Sequence, residues 1–205
     1  MRKVLILASG GLDSTVLIYL YKRLKYDIEV VFFDYGAVGN SLEIDKLKKL
    51  CAKLNITDNH IHIIPINLNW TNAKNMDNNN VYVEMRNLIF LSNAISLAES
   101  LKINKVAIGL ITNTHYYPDS TSDFINQMDD LAINSLGISV EAPLMNLEKQ
   151  DVYLLGKDLG ASLKETTSCF SPTVNGEVCG ECVGCRDVKE IIKIGVVLDE
   201  DNPFI

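Results

Sequence analysis

The chain has 205 residues, 47% of them hydrophobic, and a formal net charge of −7. That length and composition suit one domain with a sizeable core, burying roughly 70% of its unfolded surface. The acidic balance excludes a broad electrostatic grip on nucleic acid, and no apolar run reaches the ~20 residues that span a bilayer.

Val4 to Leu7 form an apolar run, and a strand is predicted over 3–8. It begins with no charged n-region, apolar h-region and cleavage site ahead of it, so no signal peptide is read and a cytoplasmic location is the default expectation. The strand runs into Ser9-Gly10-Gly11 and then into a helix predicted over 13–25. Consecutive main-chain N–H groups in such a loop form an anion nest, and the helix N-terminus adds partial positive charge. Gly10 and Gly11 let the main chain approach a phosphate with no Cβ in the way, while Ser9, Ser14 and Thr15 bring hydroxyl donors. The loop lacks the Gly-Lys-Ser/Thr ending of the common phosphate loop and is not Gly-x-Gly-x-x-Gly. Neither a kinase-like γ-phosphate grip nor a dinucleotide fold is therefore expected. The bland alternative is a strand–turn–helix connection with a Ser/Asp cap.

Further along, strands are predicted over 28–34, 60–66, 105–110 and 138–141, and helices over 41–54, 85–102, 121–136 and 148–159. Strand–helix alternation of this kind predicts a doubly wound α/β fold with a mostly parallel five-stranded sheet covered on both faces. His60 and His62 alternate with apolar residues, so they share one face and read as packing or surface groups. His115 lies in the loop after the fourth strand, where open α/β sheets bind ligands. Two segments break the rhythm. Residues 67–80 are Asn-rich and aperiodic, the pattern of a mobile loop or lid. Residues 165–189 hold Gly, Pro and a cysteine cluster and read as a small knob fixed by a metal. The apolar tail from 196 reads as packing on the body or on a partner. The chain thus divides into an α/β domain over 1–164 and a metal-binding segment over 165–205 packed on it.

Cys51 sits alone in a helical pattern and reads as a small buried apolar residue. The other cysteines form Cys169-x9-Cys179-x2-Cys182-x2-Cys185. In a reducing compartment such a cluster reads as metal rather than disulfide. Four thiolates surround a tetrahedral ion and leave no position open for water, which predicts structural Zn2+. An iron–sulfur cluster is the rival.

Ser9-Gly10-Gly11-Leu12-Asp13-Ser14 resembles the pyrophosphate loop of the N-type ATP pyrophosphatases. Nearly the whole chain resembles the QueC family, the 7-cyano-7-deazaguanine synthases, through pieces that keep their order. These are the loop 9–15, Phe33-Asp34-Tyr35-Gly36, Arg86-Asn87-Leu88-Ile89-Phe90-Leu91, Tyr117-Pro118-Asp119, Pro143-Leu144 with Lys149, Thr167-Ser168-Cys169, and Cys179-Gly180-Glu181-Cys182 with Cys185. The resemblance implies an ATP-dependent ligase. Family members adenylate the carboxylate of 7-carboxy-7-deazaguanine, release pyrophosphate and let ammonia form an amide. A second ATP then activates the amide oxygen, and loss of AMP leaves the nitrile.

The resemblance also implies roles. Ser9, Gly10, Gly11, Leu12, Asp13, Ser14, Thr15, Asn87 and Gly109 would bind ATP, with Mg2+ bridging its phosphates and Asp13 as its ligand or partner. Asp13, Ser14, Arg86 and Lys149 would be catalytic, the two cations neutralising phosphates. Tyr35, His115, Tyr117 and Asp119 would hold the substrate, the Asp119 carboxylate accepting from the N–H and amino edge of a guanine-like ring. Cys169, Cys179, Cys182 and Cys185 would hold the metal. Taken singly, Arg86 and Asn87 read as a helix start, Lys149 as a solvated charge and Asp119 as a turn residue.

The chain departs from the family at informative places. The family continues Gln-Arg-His after Tyr35-Gly36, where this chain has Ala37-Val38-Gly39, and Glu43 takes the following acidic position one residue late. The family's Ser-Gly-Tyr-Pro-Asp-Cys-Arg becomes His115-Tyr116-Tyr117-Pro118-Asp119-Ser120-Thr121. An arginine often found three residues after the last cysteine is Val188. Polar groups are lost while the ATP loop and cysteine knob persist. The expectation is retained activation with an altered second half-reaction: the chain stops at the amide or passes the acyl group to a bulkier amine, including one on a protein, as in QueC-like members of antiviral clusters. A homodimer is expected from resemblance alone. The rivals are a tRNA thiolation or amidation enzyme of the same fold, disfavoured by the committed cysteines and the acidity, and a non-catalytic nucleotide-binding scaffold.

Overall fold

Val4, Leu5 and Ile6 are fully buried, and that run sets the architecture. The computed structural model describes residues 2–71, 82–111, 117–163, 166–173 and 177–193, apart from the side chains of 188 and 190–193. β1 (Lys3–Leu7) is the central strand, because both of its faces are covered. Val4 and Ile6 enter one core, and Leu5 and Leu7 the other. β2 (Asp27–Asp34), β3 (Ile61–Pro65), β4 (Lys105–Ile108) and β5 (Ser139–Glu141) complete a parallel sheet in the order β3-β2-β1-β4-β5.

Helices cover both faces. α1 (Leu12–Arg23), α2 (Asn40–Lys53) and α5 (Lys149–Asp158) contribute Val16, Leu17, Leu47, Leu50, Val152 and Tyr153 to one core. α3 (Arg86–Ser100) and α4 (Ser122–Leu136) contribute Leu91, Ala94, Phe124 and Met128 to the other. Local chemistry explains the boundaries. The Thr121 side chain accepts a hydrogen bond from the Phe124 amide at 3.1 Å and caps α4, and Gly137 ends it at φ +69°. Glu148 and Asp151 form a reciprocal capping box at the start of α5. Cys51 is fully buried in the core, as its lone place in a helical pattern predicted.

All ten predicted strands and helices are present, with ends within two residues of expectation. Two short 3-10 turns, Asp58–His60 and Pro118–Ser120, and one α-helix were not foreseen. The segment expected as an irregular knob contains α6 (Val183–Lys193), which starts between Cys182 and Cys185. Gly184 permits it: a Cβ there would lie 1.8 Å from the Ser168 carbonyl oxygen, so the first turn of α6 packs directly on the chain before Cys169. Residues 72–80 of the Asn-rich stretch, Val81 and the tail from 194 lie outside the described residues. No helix among the described residues is long and apolar enough to cross a membrane.

The strand order fixes the location of the site. The chain moves from β1 to β2 and β3, then returns past β1 to β4. β1 and β4 therefore leave the sheet toward opposite sides. Their carboxyl ends open a crevice, the place where sheets of this topology bind ligands.

Candidate functional site

A cleft of about 780 Å³ occupies that crevice, within the range of small-molecule sites. Its floor is the loop after β1. Gly11 precedes the first residue of α1, so no side chain caps that helix and its dipole faces the cleft. The loop is closed by its own serines. The Ser9 amide donates to Ser14 Oγ at 3.2 Å, Ser14 Oγ donates to the Gly11 carbonyl at 3.2 Å, and the Gly11 amide donates to Ser9 Oγ at 3.4 Å. The Ser14 hydroxyl hydrogen therefore serves the loop itself. Leu12 lines the cleft, whereas Thr15 is fully buried and does not.

The glycines answer first to their neighbours in the chain. Gly10 has φ +71°, and a Cβ on it would lie 2.6 Å from the Glu43 carbonyl oxygen in α2. A Cβ on Gly109, just past β4, would come within 3.1–3.3 Å of the main chain of Asp13 and Ser14. These two positions bring α2 and β4 against the loop.

Asp13 and Lys149 meet in the cleft although 136 positions apart in sequence. Lys149, the first residue of α5, donates from Nζ to Asp13 Oδ2 at 3.3 Å. Asp13 Oδ1 is buried and has no hydrogen-bond partner among the described residues. A buried carboxylate oxygen left without a proton donor fits a ligand for a hard cation such as Mg2+, whose preferred donors are oxygens.

On the β2 side, Arg86 donates to the Tyr35 hydroxyl at 3.0 Å and lies over its ring, 5.6 Å from the centroid. Burial raises the Tyr35 phenol above its ordinary value, and Arg86 partly offsets this. Glu43 also lines this wall; burial pushes its carboxyl up to about 7, with Arg86 pulling it back. The Phe90 ring packs 4.8 Å from Phe33 and 5.7 Å from Tyr35, centroid to centroid. Tyr82 and Tyr117 stack with centroids 5.1 Å apart. Together they supply flat apolar surface above a polar floor.

Asn87 and Asp119 are bound to each other. Asp119 Oδ2 accepts from the Asn87 amide at 2.7 Å, while Asn87 Nδ2 donates to the Asp119 carbonyl and to Ser120 Oγ. Asp119 therefore caps α3, whose own N-cap residue, Met85, is left-handed and makes no side-chain cap. Both residues line the cleft, but part of each side chain serves the helix start. His115 lies outside the described residues. His60 and His62 share a face as expected, far from this chemistry. Each bonds to the buried Glu29, at 2.8 and 2.9 Å.

Cys169, Cys179, Cys182 and Cys185 converge, with all four sulfurs within 4.8 Å of one another. Adjacent sulfurs are 3.4, 3.5 and 3.9 Å apart. Four thiolates at ~2.3 Å from a tetrahedral ion would be about 3.8 Å apart, so the donor set fits such an ion. Main-chain amides of Phe170, Cys179, Glu181 and Cys182 point at the sulfurs, as thiolates require. The segment also walls the cleft through Thr167, Ser168, Phe170 and Gly184.

A family model, described as "Queuosine biosynthesis protein QueC", matches residues 3–191. The chain belongs to the QueC family. A 7-cyano-7-deazaguanine synthase of Rickettsia rickettsii (strain Sheila Smith) is 31% identical over 90% of this chain and 91% of its own length. One from Rickettsia felis is 29% identical over 98% and 99%. This QueC-family chain is accordingly an enzyme of the ATP-dependent carbon–nitrogen ligase type. Solved structures agree on the fold. NMN synthetase from Francisella tularensis superposes with TM-score 0.57 at 16% identity, covering 98% of this chain and 80% of that one. The U34-tRNA thiolase NcsA from Methanococcus maripaludis, solved with its [4Fe-4S] cluster, superposes with TM-score 0.51 at 18% identity, covering 94% and 64%. The fold is that of the pyrophosphate-loop ATP pyrophosphatases.

Tyr82, Phe170, Thr167 and the burial of Glu43 were not singled out as site features in the sequence. Two had a signal: Glu43, as the acidic residue following the second strand's end, and Thr167, as part of Thr167-Ser168-Cys169.

Proposed function

We propose that this QueC-family enzyme adenylates the carboxylate of 7-carboxy-7-deazaguanine, releases pyrophosphate, and joins the activated acyl group to an amine nitrogen. The reading is carried by the Asp13 carboxylate, which stands at the uncapped start of α1 with one oxygen against Lys149 and the other buried and without a hydrogen-bond partner among the described residues. Such a group needs a cation, and the place for one is where two phosphates would rest on the α1 dipole.

A carboxylate resists attack by an amine because oxide is a poor leaving group, and adenylation replaces it with AMP. The free amides of the loop and of the first turn of α1 hold the departing pyrophosphate and stabilise charge as it develops. Lys149 neutralises a phosphate oxygen from the side of α5. Asp13 would hold Mg2+, which would supply positive charge to the phosphates. Arg86, fixed by the Tyr35 hydroxyl, presents its remaining donors to an anionic group on the opposite wall. Phe90, Tyr35 and Tyr117 supply faces for a flat heteroaromatic ring, with the unused capacity of Asp119 at its edge. The cysteines hold Zn2+, closed and structural.

A second reading, transfer to an amine on a protein, is favoured by the stretch that replaces the family's Gln-Arg-His. Val38 is 70% exposed, and a Cβ on Gly36 would meet nothing within 4 Å among the described residues. An acceptor larger than ammonia has room there.

The test is ATP–pyrophosphate exchange with and without 7-carboxy-7-deazaguanine, followed by mass spectrometry of products with ammonia. Exchange that depends on the acid, with amide as product, supports the proposal. Ready conversion to the nitrile removes the altered outcome, and no exchange removes the function.

A further inference from the structure

Once an acyl-adenylate has formed, one requirement remains. An amine present mainly as its ammonium must lose a proton before it attacks, and the tetrahedral adduct must lose another. Beyond the adenylation proposed above, on which this inference rests, the cleft must contain a proton acceptor that is not already engaged.

The carboxylates lining the cleft can be compared one by one. Asp13 is paired with Lys149. Asp119 accepts from the Asn87 amide. Glu148 belongs to the capping box of α5 and accepts from Gln150 at 3.1 Å. Asp187 also has a partner. Glu43 differs from all of these: its side chain accepts no hydrogen bond among the described residues, although it lines the same cleft. It sits in the first turn of α2, with its main-chain carbonyl against Gly10, so its position over the phosphate loop is set by close packing.

We infer that the Glu43 carboxylate is the proton acceptor for the amine that attacks the acyl-adenylate. The amine nitrogen forms a bond to the acyl carbon, the bond from that carbon to the AMP oxygen breaks, and AMP leaves with the bonding pair. Glu43 takes the proton that frees the nitrogen lone pair, and the proton released from the adduct passes to solvent. Burial holds the carboxyl near 7, close to where a general base works best, and Arg86 keeps it from rising further; the titratable group beside it is the Tyr35 phenol, itself raised by burial and by Glu43. Adenylation itself needs no proton transfer, so Glu43 has no part in that half-reaction.

The experiment compares Glu43→Gln with the unaltered protein in both half-reactions. Acid-dependent ATP–pyrophosphate exchange stays within about threefold, while amide formation falls ~10²–10⁴-fold, the usual contribution of a general base. Hydroxylamine, unprotonated at neutral pH, restores acyl transfer to the Gln variant, and Glu43→Asp retains part of it. The ascending limb of the pH profile for amide formation near 7 disappears in the Gln variant. Equal loss of both half-reactions shows that Glu43 only positions Arg86 or the loop, and no loss in either shows that it is idle; both overturn the inference. Absence of exchange in the unaltered protein overturns the adenylation reading and this inference with it.

Discussion

The Thr167 amide donates to the Gly10 carbonyl at 3.0 Å, joining the cysteine segment to the turn of the phosphate loop. Two further approaches reinforce the join. A Cβ on Gly11 would lie 3.4 Å from the Thr167 carbonyl oxygen, and one on Gly39 would lie 3.2 Å from that of Cys169. The cysteine cluster thus braces the start of both α1 and α2.

Metal loss is expected to weaken nucleotide binding as well as stability. The unaltered protein should carry one zinc per chain by elemental analysis. Cys182→Ser, at a fully buried sulfur, should lower metal content and Tm together and weaken an ATP analogue at least ~10-fold by calorimetry. Cys51→Ser should leave the metal content unchanged, since Cys51 is buried in the core of the sheet, apart from the four clustered sulfurs.

Gly10→Ala should abolish ATP binding. The left-handed φ alone costs about 1–2 kcal/mol with a Cβ, and the 2.6 Å approach to the Glu43 carbonyl forces the loop and α2 apart. Circular dichroism should still report a folded chain, while exchange falls by at least ~10²-fold.

Lys149→Met and Asp13→Asn act on the same contact. Each should lower exchange by about 10²–10³-fold, the usual effect of removing one group that stabilises developing charge. The double variant should lose less than the sum of the two in free energy. Asp13→Asn should also require more Mg2+ for half-maximal rate, whereas Lys149→Met should not.

Stability should carry an acid limb at Glu29. Burial alone would raise this carboxyl, but the bonds from His60 and His62 outweigh it and hold it below 4.5. A folded-state value below the unfolded one means the stabilisation is complete above the unfolded value and fades as pH falls through the folded one. Glu29→Gln should therefore cost about 1–2 kcal/mol at neutral pH by urea denaturation. The gap should close in acid below 4.5.

Much of the fold was legible because burial on two faces imposes period on sequence. β2 presents Ile28, Val30 and Phe32 to one core and Val31 and Phe33 to the other, so Asp27–Asp34 reads as an apolar run. α4 shows the helical version, with Phe124, Met128 and Ala132 four apart. α6 was hidden because its first turn lies inside the cysteine motif and was read as part of a metal knob, although Val183–Lys193 carries a clear amphipathic pattern. In the site, the phosphate loop and the cysteines were legible as contiguous motifs. The bond from Asn87 to Asp119 and the pairing of Glu29 with two histidines were not, since each joins residues about thirty positions apart or more.

Local order alone decided the five strands, the first five helices, the uncapped loop after β1 and the identity of the four thiols, because period, glycine placement and cysteine spacing are properties of neighbouring residues. Tertiary structure decided that Asp13 meets Lys149, that Asp119 caps α3, that Thr167 holds Gly10, and that Glu43 faces the cleft with no hydrogen-bond partner for its side chain among the described residues. Those relations follow from strand order and from which elements close over the crevice. Both are settled by burying two cores at once, a condition no single stretch of sequence contains.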